Sequence, residues 1–202
     1  ACVLWAVARI GFLLPWETAF WIAMTSELAF FLLGSSAMLR AVVMSKNSRN
    51  YAVPGLLAGL GAMDALYLLT ARGGDYLLLM QRFNAGLVVM ALIALLIGRR
   101  VIPFFAMRAV HELSLPKQTE TGWVQLGACA VGVLGLLLGQ PMPTAFGLGL
   151  AGVLAIVHIV SWKPWAVRSN ALLWILYVGY AGVGIGLMLA AWAQVGLALP
   201  RA

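Results

Sequence analysis

The sequence predicts an all-α, polytopic transmembrane helix bundle with about six full spans and a partial one at its N-terminal end. Three observations predict it. Of the 202 residues, 63% are hydrophobic and only 9% charged, whereas a soluble domain carries about a quarter charged residues. Mean hydropathy is +0.99, and the apolar residues fall in runs of about 20, the number that crosses a hydrocarbon core at 1.5 Å per residue. The segments between the runs alternate in charge.

Cutting the chain at its polar and Pro/Gly clusters gives the elements in order, all within a single transmembrane domain over residues 1–202. A partial span covers 3–14, ended by Pro15, Trp16 and Glu17. The full spans follow at 18–42, 52–71, 76–97, 123–139, 144–162 and 171–193. The first residues, ACVLWAVARIGFLL, lack a starting Met and the pattern of a signal peptide, and the last run out at AWAQVGLALPRA with no polar tail. These blunt ends predict a fragment of a longer protein.

The connections fix the topology. Arg40, Lys46, Arg49, Arg99, Arg100, Arg108, Lys117, Lys163 and Arg168 all fall in 40–50, 98–120 and 161–170, while the opposite side holds only Arg72 and Arg201. By the positive-inside rule those three loops are cytoplasmic. The net charge of +7 is thereby a topology signal, and the expected partner is the lipid bilayer, with no nucleic acid. Trp16, Trp21, Trp123, Trp162, Trp165 and Trp192 fall near span ends, where an amphipathic ring prefers the headgroup level. Glycines spaced by four, Gly55 with Gly59, Gly135 with Gly139 and Gly182 with Gly186, predict close helix packing. In the fourth loop, 98–120, Pro103 excludes a straight continuation of the preceding helix, and Phe104 and Phe105 predict a short interfacial helix there.

Ionisable residues at membrane depth cost on the order of 2.5–3.5 kcal/mol each on insertion scales, so they need partners or a purpose. They are Arg9, Glu27, Asp64, Arg82 and His158. Asp64 and Arg82 flank the ARGGD turn at equal depth, about 10 Å below the outer interface, which predicts an ion pair across that hairpin. Glu27 stands near the midplane with Arg9 as its one partner within reach, a place for proton or ligand handling or for a helix–helix hydrogen bond. His158 and Tyr177 face a shared cytoplasmic turn, where they would hydrogen-bond or where the imidazole would ligate haem or copper. His111 lies beside Glu112 in the polar loop and reads as solvated. Cys2 and Cys129 have no CxxC or CxxH around them, and GxSxG, HExxH and Walker A motifs are all missing. No self-contained di-haem or binuclear copper centre can be built from two histidines and two cysteines, and the sequence leaves open whether any reaction is catalysed.

Two stretches, GRRVIPFF (residues 98–105) and WKPWAVRSNALLWILYVGYAGVGIGLML (162–189), resemble signatures of the NnrS family. Weaker likeness runs through SELAFFLL (26–33) and NSRNYAVPGLLAGLGAMDALYLL (47–69). The resemblance implies a multi-spanning protein of the bacterial inner membrane that contains haem or copper and is linked to nitric oxide metabolism and stress. It makes Gly98, Arg99, Arg100, Pro103 and Phe104 a signature loop. It also implies a longer chain, with histidine-containing segments before Ala1 and after Ala202. Where the family pattern has histidine after LLWIL and in the third-span motif, this chain has Tyr177 and Tyr67. His158, Tyr177 and Tyr67 are the cofactor-type candidates that remain, and the tyrosines point to a lost or altered cofactor site. Two further readings stand beside this one: a cofactor-free subunit packed against other membrane-protein subunits, and a small-solute or proton transporter centred on Glu27.

Overall fold

The computed structural model describes residues 1–46, 50–111, 113–116 and 120–198. Asn47, Ser48, Arg49, Glu112, Lys117, Gln118, Thr119 and 199–202 lie outside the described residues, and with them the topological charges Arg49, Lys117 and Arg201. All regular structure among the described residues is helical. The helices are α1 (Cys2–Phe12), α2 (Glu17–Met44), α3 (Ala52–Gly73), α4 (Tyr76–Ala109), α5 (Glu120–Leu137), α6 (Pro141–Ser161) and α7 (Ala171–Ala198), with a short 3-10 turn at Pro164–Val167 before α7. Six of them, α2 to α7, are long and apolar enough to cross a membrane, and α1 is a shorter apolar helix. The chain forms two compact units, Ala1–Val89 and Met90–Ala202.

In the first unit α1 packs on α2 and α2 on α3. The α1–α2 approach depends on Gly11, where an added Cβ would lie 2.8 Å from the Ala23 Cβ. Gly61 plays the same part on α3 under the Phe31 ring. The ARGGD segment makes the expected turn: Gly74 takes φ 73°, and the Asp75 carboxylate accepts the Leu78 N–H at 3.0 Å, capping α4.

In the second unit α6 lies between α5 and α7. Its buried positions Thr144, Leu148, Ala151, Ala155 and His158 recur every three or four residues, one continuous face of a helix. Cβ atoms added at Gly147 and Gly152 would lie 2.5 Å from the Ala128 carbonyl oxygen and 2.6 Å from the Gly184 carbonyl oxygen. Backbone therefore meets backbone on both sides of α6. Of the glycines spaced by four, only Gly135 is packed this way, against Thr144. Gly55, Gly59, Gly182 and Gly186 have nothing within 4 Å of an added Cβ, and Gly139 serves the α5–α6 turn with φ 65°. Spacing marks a stripe but not which side of the helix meets a neighbour.

Two further expectations are corrected. Residues 98–109 are not a loop with a separate short helix: α4 runs through Pro103 to Ala109. The missing hydrogen bond at a mid-helix proline costs about 3 kcal/mol, but Ile102 and Ala106, 2% and 0% exposed, anchor the helix on either side of it. With 34 residues, α4 is about 51 Å long, well beyond a hydrocarbon core of about 30 Å. Trp162 is no interfacial anchor either, being 0% exposed, whereas Trp16, Trp21, Trp123, Trp165 and Trp192 are exposed.

Candidate functional site

Buried polar side chains meet in both units. In the first, Arg9 of α1 forms an ion pair with Glu27 of α2, joining Nη2 to Oε1. Glu27 is 7% exposed, so the pairing meets the need of a carboxylate at depth for a partner. Asp64 is half-buried, and its Oδ2 has no hydrogen-bond partner. The expected Asp64–Arg82 ion pair is absent among the described residues. Depth alone suggested it, but Tyr67 of α3 meets Phe83 of α4 with ring centroids 6.0 Å apart. Matching depth does not fix which way a side chain points around its helix, since a helix turns about 100° per residue. At the unit's other polar contact, Arg72 donates to Glu17 at 3.1 Å and its guanidinium lies over the Phe20 and Trp21 rings.

The second cluster is built around His158, which is 0% exposed. Its Nδ1 lies 3.3 Å from the Tyr180 hydroxyl and its Nε2 lies 3.0 Å from the Thr121 hydroxyl. Tyr180 donates its proton to Gln125 Oε1 at 3.2 Å, and Gln125 Nε2 donates to the Ala151 carbonyl at 3.1 Å. These partners dictate the direction of the chain. Because the Tyr180 proton goes to Gln125, the Tyr180 oxygen accepts from Nδ1–H. In a neutral ring Nε2 is then the acceptor, and its lone pair takes the Thr121 hydroxyl proton. Trp162 covers the imidazole face, with ring centroids 5.8 Å apart and planes 25° from parallel. The Trp162 Nε1–H is buried without a partner.

Tyr177 is not the partner of His158 that the shared turn suggested. Its hydroxyl donates instead to the Trp162 carbonyl at 3.0 Å. Tyr180, almost one turn deeper in α7, reaches the imidazole. The same tyrosine explains part of the signature loop: a Cβ at Gly98 would lie 2.7 Å from the Tyr180 ring. Arg99 lays its guanidinium against Gly122 at the start of α5 and 5.9 Å from the centre of the Trp123 ring. Its Nη1 is buried without a hydrogen-bond partner. Pro103 is half-buried within α4 and Arg100 is half-buried beside Arg99. Phe104 is exposed with Arg108 stacked over it at 4.9 Å, and His111 is exposed in the turn after α4.

Sequence reasoning missed Tyr180, Gln125 and Thr121. The signal for two of them was present: a glutamine and a tyrosine inside apolar spans need hydrogen-bond partners as much as a histidine does. A haem iron or copper ion needs a free lone pair on its ligand. The lone pair of His158 is taken by Thr121, the ring face is covered by Trp162, and the Tyr177 hydroxyl is committed to a carbonyl. No group of three or more His, Cys, Asp or Glu is placed to hold a metal among the described residues. These side chains do not fit a haem or copper site as they stand.

Six apolar helices of spanning length, with ionisable side chains drawn into buried clusters, define a multi-pass integral membrane protein. The model of the family described as NnrS protein matches residues 1–202, the whole chain, and this protein belongs to that family. No curated protein and no solved structure matches it.

Proposed function

We propose that this protein acts in the bacterial inner membrane in nitric oxide metabolism or protection, as a family member in which His158 is the hub of a hydrogen-bond network and not a haem or copper ligand. The whole-chain family match supports the first part. The observation that carries the second is the engagement of both His158 ring nitrogens by hydroxyl groups. Tyr67 and Tyr177, standing where the family pattern has histidine, agree with an altered cofactor site. Any haem or copper the protein carries is held by other groups.

Absorption spectra of the detergent-purified protein, oxidised and dithionite-reduced, with iron and copper measured on the same sample, test the cofactor reading. The expected result is that His158→Ala leaves haem and metal per chain unchanged. Six-coordinate, bis-histidine haem at one per chain, lost in His158→Ala, would overturn it. The nitric oxide role is tested separately: cells lacking the protein should grow more poorly under a nitric oxide donor and recover on complementation. Equal growth with and without the protein would sink that role.

A further inference from the structure

Beside the turn between α6 and α7 an open groove of about 520 Å³ is lined by Arg168, Ser169, Ala171, Trp174, Ile175 and Val178. Its polar and apolar parts are sorted by depth. Arg168 and Ser169 stand in the basic connection, in the segment that the charge pattern places on the cytoplasmic side. Ala171, Trp174, Ile175 and Val178 follow at helical positions i, i+3, i+4 and i+7, a single stripe of α7. That stripe carries the groove about 10 Å down the helix from its mouth.

The composition of the stripe excludes water as its natural filling, since Trp174, Ile175 and Val178 are 51%, 69% and 49% exposed. A hydrocarbon chain satisfies it. At the mouth, the Arg168 guanidinium has no ion pair among the described residues, and the connection holds a second cation, Lys163, but no acid. A molecule that fills the groove therefore combines an acyl chain with an anionic head at the depth of Arg168. We propose that this groove is a binding site for an anionic glycerophospholipid, whose phosphate meets Arg168 and the Ser169 hydroxyl while one acyl chain lies along Ala171, Trp174, Ile175 and Val178. Basic pockets beside cytoplasmic helix ends select anionic headgroups in this way. The charge at the mouth, and not the apolar wall, makes the site selective, because the wall would accept the chain of any lipid.

The test uses the full chain reconstituted in phosphatidylcholine vesicles that contain a minor fraction of brominated phosphatidylglycerol or, in parallel, the same fraction of brominated phosphatidylcholine. Subtracting the Trp174→Phe variant isolates the fluorescence of the groove tryptophan. Quenching of that component by brominated phosphatidylglycerol should be favoured about fivefold, the preference that one arginine at a headgroup supports. Arg168→Gln, in an exposed turn where folding is not at stake, should remove the preference, and Val178→Phe should weaken quenching by both lipids. Equal quenching by the two lipids would reduce the groove to ordinary lipid contact and overturn the proposal. So would a preference that survives Arg168→Gln, or a Trp174 component that neither lipid quenches, which would mean that protein covers the groove.

Discussion

The hydroxyl of Thr121 lies 3.0 Å from Nε2 of His158, and it occupies the one lone pair that the imidazole has to offer. A threonine at the start of α5 thus engages the nitrogen through which a histidine on α6 would meet a metal. The rest of the chain, through Tyr180 and Gln125 to the Ala151 carbonyl, runs from that hydroxyl into the interior of the second unit.

Replacing Thr121 by valine keeps the shape and removes the donor. A buried acceptor left unpaired costs roughly 1–3 kcal/mol, so Thr121→Val should lower the thermal unfolding temperature in detergent. It should also give the protein a copper-binding imidazole that the parent lacks, visible as a nitrogen-coordinated signal in electron paramagnetic resonance. No new copper signal in a folded variant would show that the lone pair is blocked by something else.

Tyr180 and Tyr177 should respond unequally to phenylalanine. Tyr180→Phe strands both the Nδ1–H of His158 and Gln125 Oε1, whereas Tyr177→Phe frees only the Trp162 carbonyl, itself at a helix end. The expected losses are about 2–3 kcal/mol for Tyr180 and about 1 kcal/mol for Tyr177. Chemical unfolding of the two variants side by side checks the order, and a larger loss for Tyr177 contradicts the network.

Arg9 and Glu27 should be energetically coupled. A double-mutant cycle with Arg9→Gln and Glu27→Gln should give an interaction of ~0.5–3 kcal/mol, the range for charges in direct contact. The same cycle on Asp64 and Arg82 should give a value near zero, because those two do not pair. If the second cycle proves the larger, the assignment of partners in the first unit is wrong.

Two glycines on the helices of the second unit should differ sharply. A Cβ at Gly152 would lie 2.6 Å from the Gly184 carbonyl oxygen, and one at Gly182 would meet nothing within 4 Å. Gly152→Val should abolish or severely reduce folded protein in detergent, while Gly182→Val should be tolerated and gain slightly from helix propensity. Size-exclusion profiles of the two variants decide it.

The positions of the helices were legible from hydropathy, since a run of some 20 apolar residues has few other fates. What sequence position reports along such a run is depth, and depth correctly put Arg9 within reach of Glu27. It failed for Asp64 and Arg82, whose depths match but which form no ion pair among the described residues. Direction separates Gly182 from Gly184, two residues on along the same helix, of which only Gly184 meets a neighbour, whereas Tyr177 and Tyr180 share a face and differ by almost one turn of depth. Pro103 misled for a related reason: the local rule was sound, but burial of Ile102 and Ala106 outweighs it.

The packed helix pairs are sequence neighbours, α1 with α2, α2 with α3, α5 with α6 and α6 with α7. For α2, α3, α6 and α7, a helix leaving the translocation channel therefore finds a packing partner in the segment delivered just before it, while the Gly98–Tyr180 and Gln125–Tyr180 contacts wait for α7. Such an order favours stepwise insertion during synthesis. It makes α6 the member whose delay is most consequential, because both α5 and α7 depend on its glycine-lined backbone for their seats.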